Sequence, residues 1–181
     1  MIKELKIEKY KDILLLKSIG RTGLITLDLL PYLDITESRL NQHIFSGNIE
    51  KKGNYCLYGS ITSIYGLTEK SKKRLKNEYS FYIYKSDLTQ LEHDYALTKI
   101  YMYLRFSEKE SWITETELHN KYPNEPKVLD GMYINKIGKI GVEVTTNNYS
   151  KEDIELKKNF IKKYCDDYIM IHAYKNIKYT I

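Results

Sequence analysis

The sequence predicts an α+β chain built in two parts. Three observations carry this. The first 79 residues alternate short amphipathic helices with one strand pair, the last third runs helix, strand pair, helix, strand, and the excess of positive charge lies wholly in the first part. A length of 181 residues fits one medium domain or two small ones. At 42% apolar residues the chain is too hydrophobic for a disordered tail.

The elements follow from local signals. Residues 7–19 predict a helix, with Ile13, Leu14 and Leu16 in an apolar context ending at Gly20, and Arg21-Thr22-Gly23 a turn. Thr26 is placed to cap a short helix, Leu27–Leu33, with Leu27, Leu30 and Leu33 on one face. Asp34-Ile35-Thr36 breaks that pattern, and Thr36 caps a further helix, Glu37–Ser46, which stops at Gly47. Asn48–Lys52 reads as a strand, Gly53-Asn54 and Gly59-Ser60 as turns, and Ile61–Leu67 as a second strand. Thr68 then caps Glu69–Asn77, a helix carrying Lys70, Lys72, Lys73, Arg74 and Lys76. Helix, helix, helix, hairpin, helix is the order of a winged helix-turn-helix domain, here residues 1–79.

Residues 80–105 read as a connector. A Tyr-rich stretch at 80–86 precedes a long helix, Leu88–Arg105, capped by Asp87, with Leu88, Leu91, Tyr95, Leu97, Tyr101 and Leu104 in one stripe suited to joining domains or supporting a homodimer. Residues 106–181 predict a small α/β domain with a mixed sheet. Its parts are a helix at Ser111–Lys121, strands at Val128–Ile134 and Lys139–Thr145 joined by Asn135-Lys136-Ile137-Gly138, an amphipathic helix at Lys151–Cys165, and strands at Tyr168–Ala173 and Ile177–Ile181. In that amphipathic helix Ile154, Phe160, Ile161 and Tyr164 are expected to face the core.

Residues 1–79 hold 14 Lys and Arg against 9 Asp and Glu, whereas residues 80–181 hold 15 of each, so the whole net charge of +5 belongs to the first part. Phosphate binding needs a local field of this kind. On the Glu37–Ser46 helix, at about 100° per residue, Leu40 and Ile44 point inward. Ser38, Arg39, Gln42, Phe45 and Ser46 point outward, with Asn41 on the flank. Arg pairs with guanine, Asn and Gln with adenine, and an aromatic ring touches the thymine methyl, so this face suits base reading. Phe45 could equally pack under the hairpin. Glu50–Tyr55 would form a wing whose Lys51, Lys52 and Asn54 reach phosphate or the minor groove. The expected DNA contacts are Arg21, Thr36, Ser38, Arg39, Asn41, Gln42, Lys51, Lys52, Asn54, Lys70 and Lys73. The bland alternative throughout is an ordinary solvated face of a protein-interaction domain.

A second constellation lies in the last third. Asp130 and Glu143 sit on adjacent strands, a spacing that can place paired carboxylates on Mg²⁺ for phosphodiester hydrolysis, with Glu115 on the preceding helix as a third. In nucleases of this arrangement a Lys follows the Glu by two residues; here that position is Thr145. Other chemistry is unsupported. His43, His93, His119 and His172 form no HxH or HxxxH pair, and there is no Walker loop or GxGxxG. His93-Asp94 reads as a local structural pair. The 18 tyrosines accompany abundant Lys, Ile and Asn, as an AT-rich coding sequence produces.

Several stretches together resemble the replication-relaxation family of plasmids and integrative elements. They are Ser38-Arg39-Leu40, Gly47-Asn48-Ile49, Tyr65-Gly66-Leu67-Thr68-Glu69-Lys70-Ser71, His93-Asp94-Tyr95-Ala96-Leu97, Trp112-Ile113-Thr114-Glu115, Leu129-Asp130-Gly131 and Gly141-Val142-Glu143-Val144. The resemblance spans residues 10–175. It implies a winged DNA-binding domain fused to a core like the PD-(D/E)xK nucleases, with Glu115, Asp130 and Glu143 at the nuclease-like positions, and a role in starting plasmid replication or transfer. The winged part also resembles accessory proteins of conjugative relaxosomes.

The expected function is therefore sequence-specific binding of duplex DNA at a plasmid or mobile-element origin, without catalysis because Thr145 replaces the lysine. A relaxase or replication protein is the expected partner. No cofactor is expected, and Mg²⁺ enters only if the chain is instead a nuclease. A transcriptional regulator or protein-docking module is the other alternative. The longest apolar runs, such as Ile13–Leu16, fall far short of the roughly 20 residues that span a bilayer, and the first residues lack an apolar signal core. Cys56 and Cys165 have no CxxC spacing. A cytoplasmic protein with reduced thiols and no membrane partner is the expectation.

Overall fold

The computed structural model describes residues 10–80 and 82–174, so the first residues of the predicted N-terminal helix and the final strand expected at Ile177–Ile181 lie outside the described residues. The chain is α+β with a mixed sheet. It divides between Tyr103 and Leu104 into two compact units.

In the N-terminal unit, α1 spans Lys11–Thr22 and buries Asp12, Leu15, Leu16 and Ile19 at helical spacing. It ends where Gly23 takes φ 92° and donates its N–H to the Ile19 carbonyl at 2.7 Å, a left-handed cap. A Cβ on Gly23 would also lie 2.5 Å from Ser86 Cβ, so both conformation and space require glycine. Ile25 then pairs with Tyr65 through two backbone bonds of 2.9 and 3.0 Å, adding a single bridge beside the hairpin.

The segment Leu27–Leu33 is a 3₁₀ helix rather than an α-helix. Pro31 explains this, because it has no N–H to give to the Leu27 carbonyl. The tighter winding buries Leu29, Leu30 and Leu33 and leaves Leu27 exposed, which corrects the expected face. Helix α2 spans Glu37–Phe45, capped by Thr36 Oγ1, which accepts from the Arg39 N–H at 3.2 Å. It buries Leu40 and His43, while Ile44 is only half-buried.

Strands β1 (Ile49–Leu57) and β2 (Ser60–Leu67) form an antiparallel hairpin that is longer than expected. Gly53-Asn54 is not its turn. It lies within β1, where the register shifts between Lys51 and Gly53, a bulge. The chain reverses at Tyr58-Gly59, both with positive φ, the two-residue geometry that continues the strand twist. Helix α3 (Glu69–Tyr79) is capped by Thr68. After a 3₁₀ turn at Leu88–Gln90, α4 (Leu91–Tyr103) packs against α1 and the Leu27–Leu33 segment, burying Leu91, Leu97, Tyr101 and Met102. The helix read as a connector thus contributes to the N-terminal core.

The C-terminal unit opens with α5 (Phe106–Glu110), β3 (Ile113–Thr114) and α6 (Glu115–Lys121). The single helix expected at Ser111–Lys121 starts four residues later. Ile113 and Thr114 pair with Met132 and Gly131, and Thr114 with Glu117 forms a capping box at the start of α6. Strands β4 (Gly131–Ile134) and β5 (Lys139–Thr145) follow, then α7 (Lys151–Tyr164) and β6 (Asp167–His172). The sheet order is β3-β4-β5-β6, with β5 and β6 parallel across the α7 crossover and the other pairs antiparallel. Leu118, Val128, Leu129, Met132, Phe160 and Ile161 form its core. Trp112 stacks on Tyr133 at 6.3 Å between ring centroids.

Candidate functional site

Two groups of residues carry chemistry, one in each unit. The first is α2 and its support. Asp12 is buried in the first turn of α1 and would cost several kcal/mol there if unpaired. Arg39 neutralises it: Nε donates to Oδ1 at 2.9 Å and Nη2 to Oδ2 at 2.5 Å, a bidentate fork. The His43 ring, fully buried, donates from Nε2 to the same Oδ1 at 2.9 Å, and Asn48 Nδ2 lies 3.4 Å from its Nδ1. This tautomer satisfies both ring nitrogens.

Arg39 is therefore turned inward, and its expected role as a base-reading side chain is corrected by the Asp12 fork. Its remaining arm, Nη1, donates to Gln42 Oε1 at 2.6 Å. Ser38, Asn41, Gln42 and Phe45 make the exposed face of α2. Phe45 is 73% exposed, so it does not pack under the hairpin. Thr36 is occupied as the helix cap.

The basic residues around this face divide into paired and unpaired sets. Lys52 bonds Glu50, Lys72 bonds Glu69 at 2.7 Å, and Arg74 bonds Glu78 at 2.9 Å. Lys51, Lys70, Lys73 and Lys76 are exposed and have no ion pair among the described residues. Asn54 accepts from the Ser63 hydroxyl at 2.8 Å across the hairpin. Arg21 lies nine residues beyond Asp12 on α1, about 13 Å along the helix axis from the Arg39 fork.

The second group lies at the end of β4 and in β5. Asp130 and Glu143 are both buried and adjacent across the strands. The Asp130 N–H donates to Glu143 Oε2 at 3.3 Å, and the Val144 N–H donates to Asp130 Oδ2 at 2.6 Å. A lysine is present after all. Lys157 on α7 is buried, and its Nζ donates to Glu143 Oε1 at 2.5 Å and stands 4.0 Å from Asp130 Oδ1. Tyr149 OH lies 3.3 Å from the same Nζ. Burial, and then the Asp130 charge, raise the Glu143 carboxyl to about 7, with Lys157 pulling against them. Burial and the two carboxylates raise the Tyr149 phenol as well.

Thr145, in the expected lysine position, instead braces β6: Oγ1 donates to the Ile171 carbonyl at 3.2 Å and lies 2.9 Å from His172 Nδ1. Glu115 gives its backbone N–H to the Asp130 carbonyl at 3.1 Å, while its carboxylate stands 3.9 Å from His119. Among the described residues no three His, Cys, Asp or Glu side chains converge as a metal-holding group. What the geometry forms is a closed network in which one lysine serves two carboxylates.

Sequence reasoning missed Asp12, His43 and Lys157. Each occupies an apolar stripe at helical spacing: Asp12 with Leu15, Leu16 and Ile19, His43 with Leu40, and Lys157 between Ile154 and Phe160–Ile161. An ionisable residue on a core-facing stripe is the signal that a buried partner awaits it. His93 and Asp94, read as a structural pair, lie with Nδ1 and Oδ1 3.1 Å apart; Asp94 also accepts from the Tyr84 hydroxyl at 2.9 Å and the Asp87 N–H at 3.0 Å, pinning residues 84–87 onto α4.

No family model matches the chain, and neither a curated protein nor a solved structure matches it at a significant level. No helix among the described residues is long and apolar enough to cross a membrane.

Proposed function

We propose that the N-terminal unit is a winged helix that binds duplex DNA sequence-specifically, with α2 as the reading helix, in the service of plasmid or mobile-element replication or transfer. The observation that carries this is the exposed Ser38, Asn41, Gln42 and Phe45 face of α2, firmly seated on α1 and followed directly by a hairpin with an exposed Lys51. Lys70, Lys73 and Lys76 on α3, exposed and without an ion pair among the described residues, add positive charge for phosphate. Arg39 acts as a positioning residue. By holding Gln42 Oε1 it leaves the Gln42 amide NH₂ outward as a donor, suited to purine N7 or guanine O6.

The test is anisotropy of a labelled duplex library with Asn41→Ala/Gln42→Ala. Loss of preference for the selected sequence, roughly tenfold or more, with weak salt-dependent binding retained, is expected. An unchanged preference would transfer the role of α2 to a protein partner.

A second possibility, a Mg²⁺-dependent nuclease, is favoured by Lys157, which completes an Asp, Glu and Lys set. Against it, Glu143 has both oxygens bonded to protein donors, and Asp130 Oδ2 is bonded as well. Cleavage of plasmid with Mg²⁺ or Mn²⁺, lost in Glu143→Ala, would establish it.

A further inference from the structure

A cleft of about 210 Å³ opens in the N-terminal unit between the C-terminal end of α1, the hairpin, α3 and the segment before α4. Its lining has an apolar part, Ile19, Leu67, Ile83 and Leu88, and three lysines from three separate elements: Lys52 of β1, Lys72 of α3 and Lys85 of the connecting segment. Ser86 and Tyr84 complete the lining.

This convergence is built into the backbone. Lys52 reaches the cleft only because its stem crosses Gly66, where a Cβ would lie 2.9 Å from Lys52 Cε. The segment bearing Lys85 and Ser86 is held on three sides. The Tyr84 N–H donates to the Gly20 carbonyl at 2.8 Å, the Tyr84 hydroxyl and Asp87 N–H both bond Asp94, and Ser86 packs on Gly23. The Lys85 charge acts on the nearby Asp87 carboxylate, and neither Lys85 nor the Ser86 hydroxyl has a hydrogen bond or ion pair among the described residues. Lys52 and Lys72 are balanced by Glu50 and Glu69, surface pairs that are weak enough to exchange for a better anion.

We propose that this cleft binds a small phosphate-bearing ligand of the mononucleotide class. The phosphate sits at the lysines with the Ser86 hydroxyl as an added donor, and the base or sugar covers the apolar part. Phosphate alone would leave the partly exposed Ile83 and Leu88 uncovered, whereas a purely apolar ligand would take water from the lysine ammonium groups and supply no anion in exchange. The role is separate from that of α2 and would make the basic half of the chain responsive to a nucleotide.

Titration calorimetry of the full chain with ATP, inorganic phosphate and adenosine tests it. ATP is expected to bind with an affinity that falls with salt, inorganic phosphate to compete with it, and adenosine to bind far more weakly. Lys72→Gln/Lys85→Gln is expected to weaken ATP at least about tenfold with the thermal transition unchanged. Lys85→Gln alone, on an exposed residue, gives the same readout in smaller measure should the double variant fail to fold. No heat with ATP up to millimolar concentration, or equal affinity in these variants, overturns the proposal. So does loss of duplex affinity in the variants with no ATP binding in the parent, since the lysines would then be contacting a DNA backbone.

Discussion

Asp12 enters the core beside Leu15, Leu16 and Ile19, and the Arg39 fork makes that burial tolerable. Removing one partner leaves a buried charge, so Arg39→Met is expected to cost about 3 kcal/mol in urea unfolding. Asp12→Leu/Arg39→Met is expected to cost less than the single change. Equal costs would mean that the fork holds nothing in place. On the proposed function, an Arg39 substitution would act on DNA binding through the seating of α2, and Asn41 and Gln42 would be the direct probes of its surface.

Glu143 gives a residue-scale prediction with a sign. Its carboxyl is raised from the ordinary 4.5 to about 7 in the folded chain, so the folded state holds the proton more tightly than the unfolded state. Stability of the C-terminal unit is then fullest near the unfolded value, declines as pH rises from 4.5 to about 7, and levels off above, by up to about 3 kcal/mol. Trp112 is the single tryptophan and is buried in this unit, so its emission during unfolding follows that unit alone. Glu143→Gln is expected to flatten the slope; a slope that persists in it belongs to another group.

At the scale of elements, capping and close approach govern what forms. Thr36→Ala removes the cap of α2 and is expected to cost about 1 kcal/mol of stability. Gly131→Ala brings a Cβ within 2.2 Å of the Trp112 ring, where β3 and β4 pair, and is expected to cost about 2 kcal/mol with a shift of Trp112 emission. If that emission and stability stay put, the ring has room to move aside.

The same scale shows what was legible. Thr36, Thr68 and Asp87 precede helical turns and accept N–H bonds as expected, whereas the Thr26 side chain makes no such bond, and β5 runs over Lys139–Thr145 as its β-branched pattern indicates. In the Leu27–Leu33 segment the Leu spacing indicates an α-helix, but the missing Pro31 N–H makes it a 3₁₀ helix. Gly53-Asn54 has the composition of a turn but sits in a bulge, since a hairpin turn is settled by strand pairing as well as by composition. Lys157 is not legible from the residues next to Glu143 in sequence, because α7 returns it through space rather than along the strand. Periodicity reports the face of a residue; which charge waits on the facing element is a tertiary fact.

For the whole molecule, the charge division and the unit division nearly coincide. The excess of Lys and Arg falls within residues 1–79, and the N-terminal unit closes with α4 at Tyr103. In the C-terminal unit Lys157 bonds Glu143 and stands beside Asp130. Binding would thus concentrate on the N-terminal unit, with phosphate contacts from Lys51, Lys70, Lys73 and Lys76 and base contacts from α2. The most direct test is a titration of duplex DNA from the host replicon at a series of salt concentrations. Affinity is expected to fall linearly on logarithmic axes with a slope near −0.9 per phosphate contacted, roughly −3 to −4 for these lysines, and to become shallower by about one in Lys51→Gln. No affinity for any such duplex, or an affinity indifferent to salt, would contradict the account.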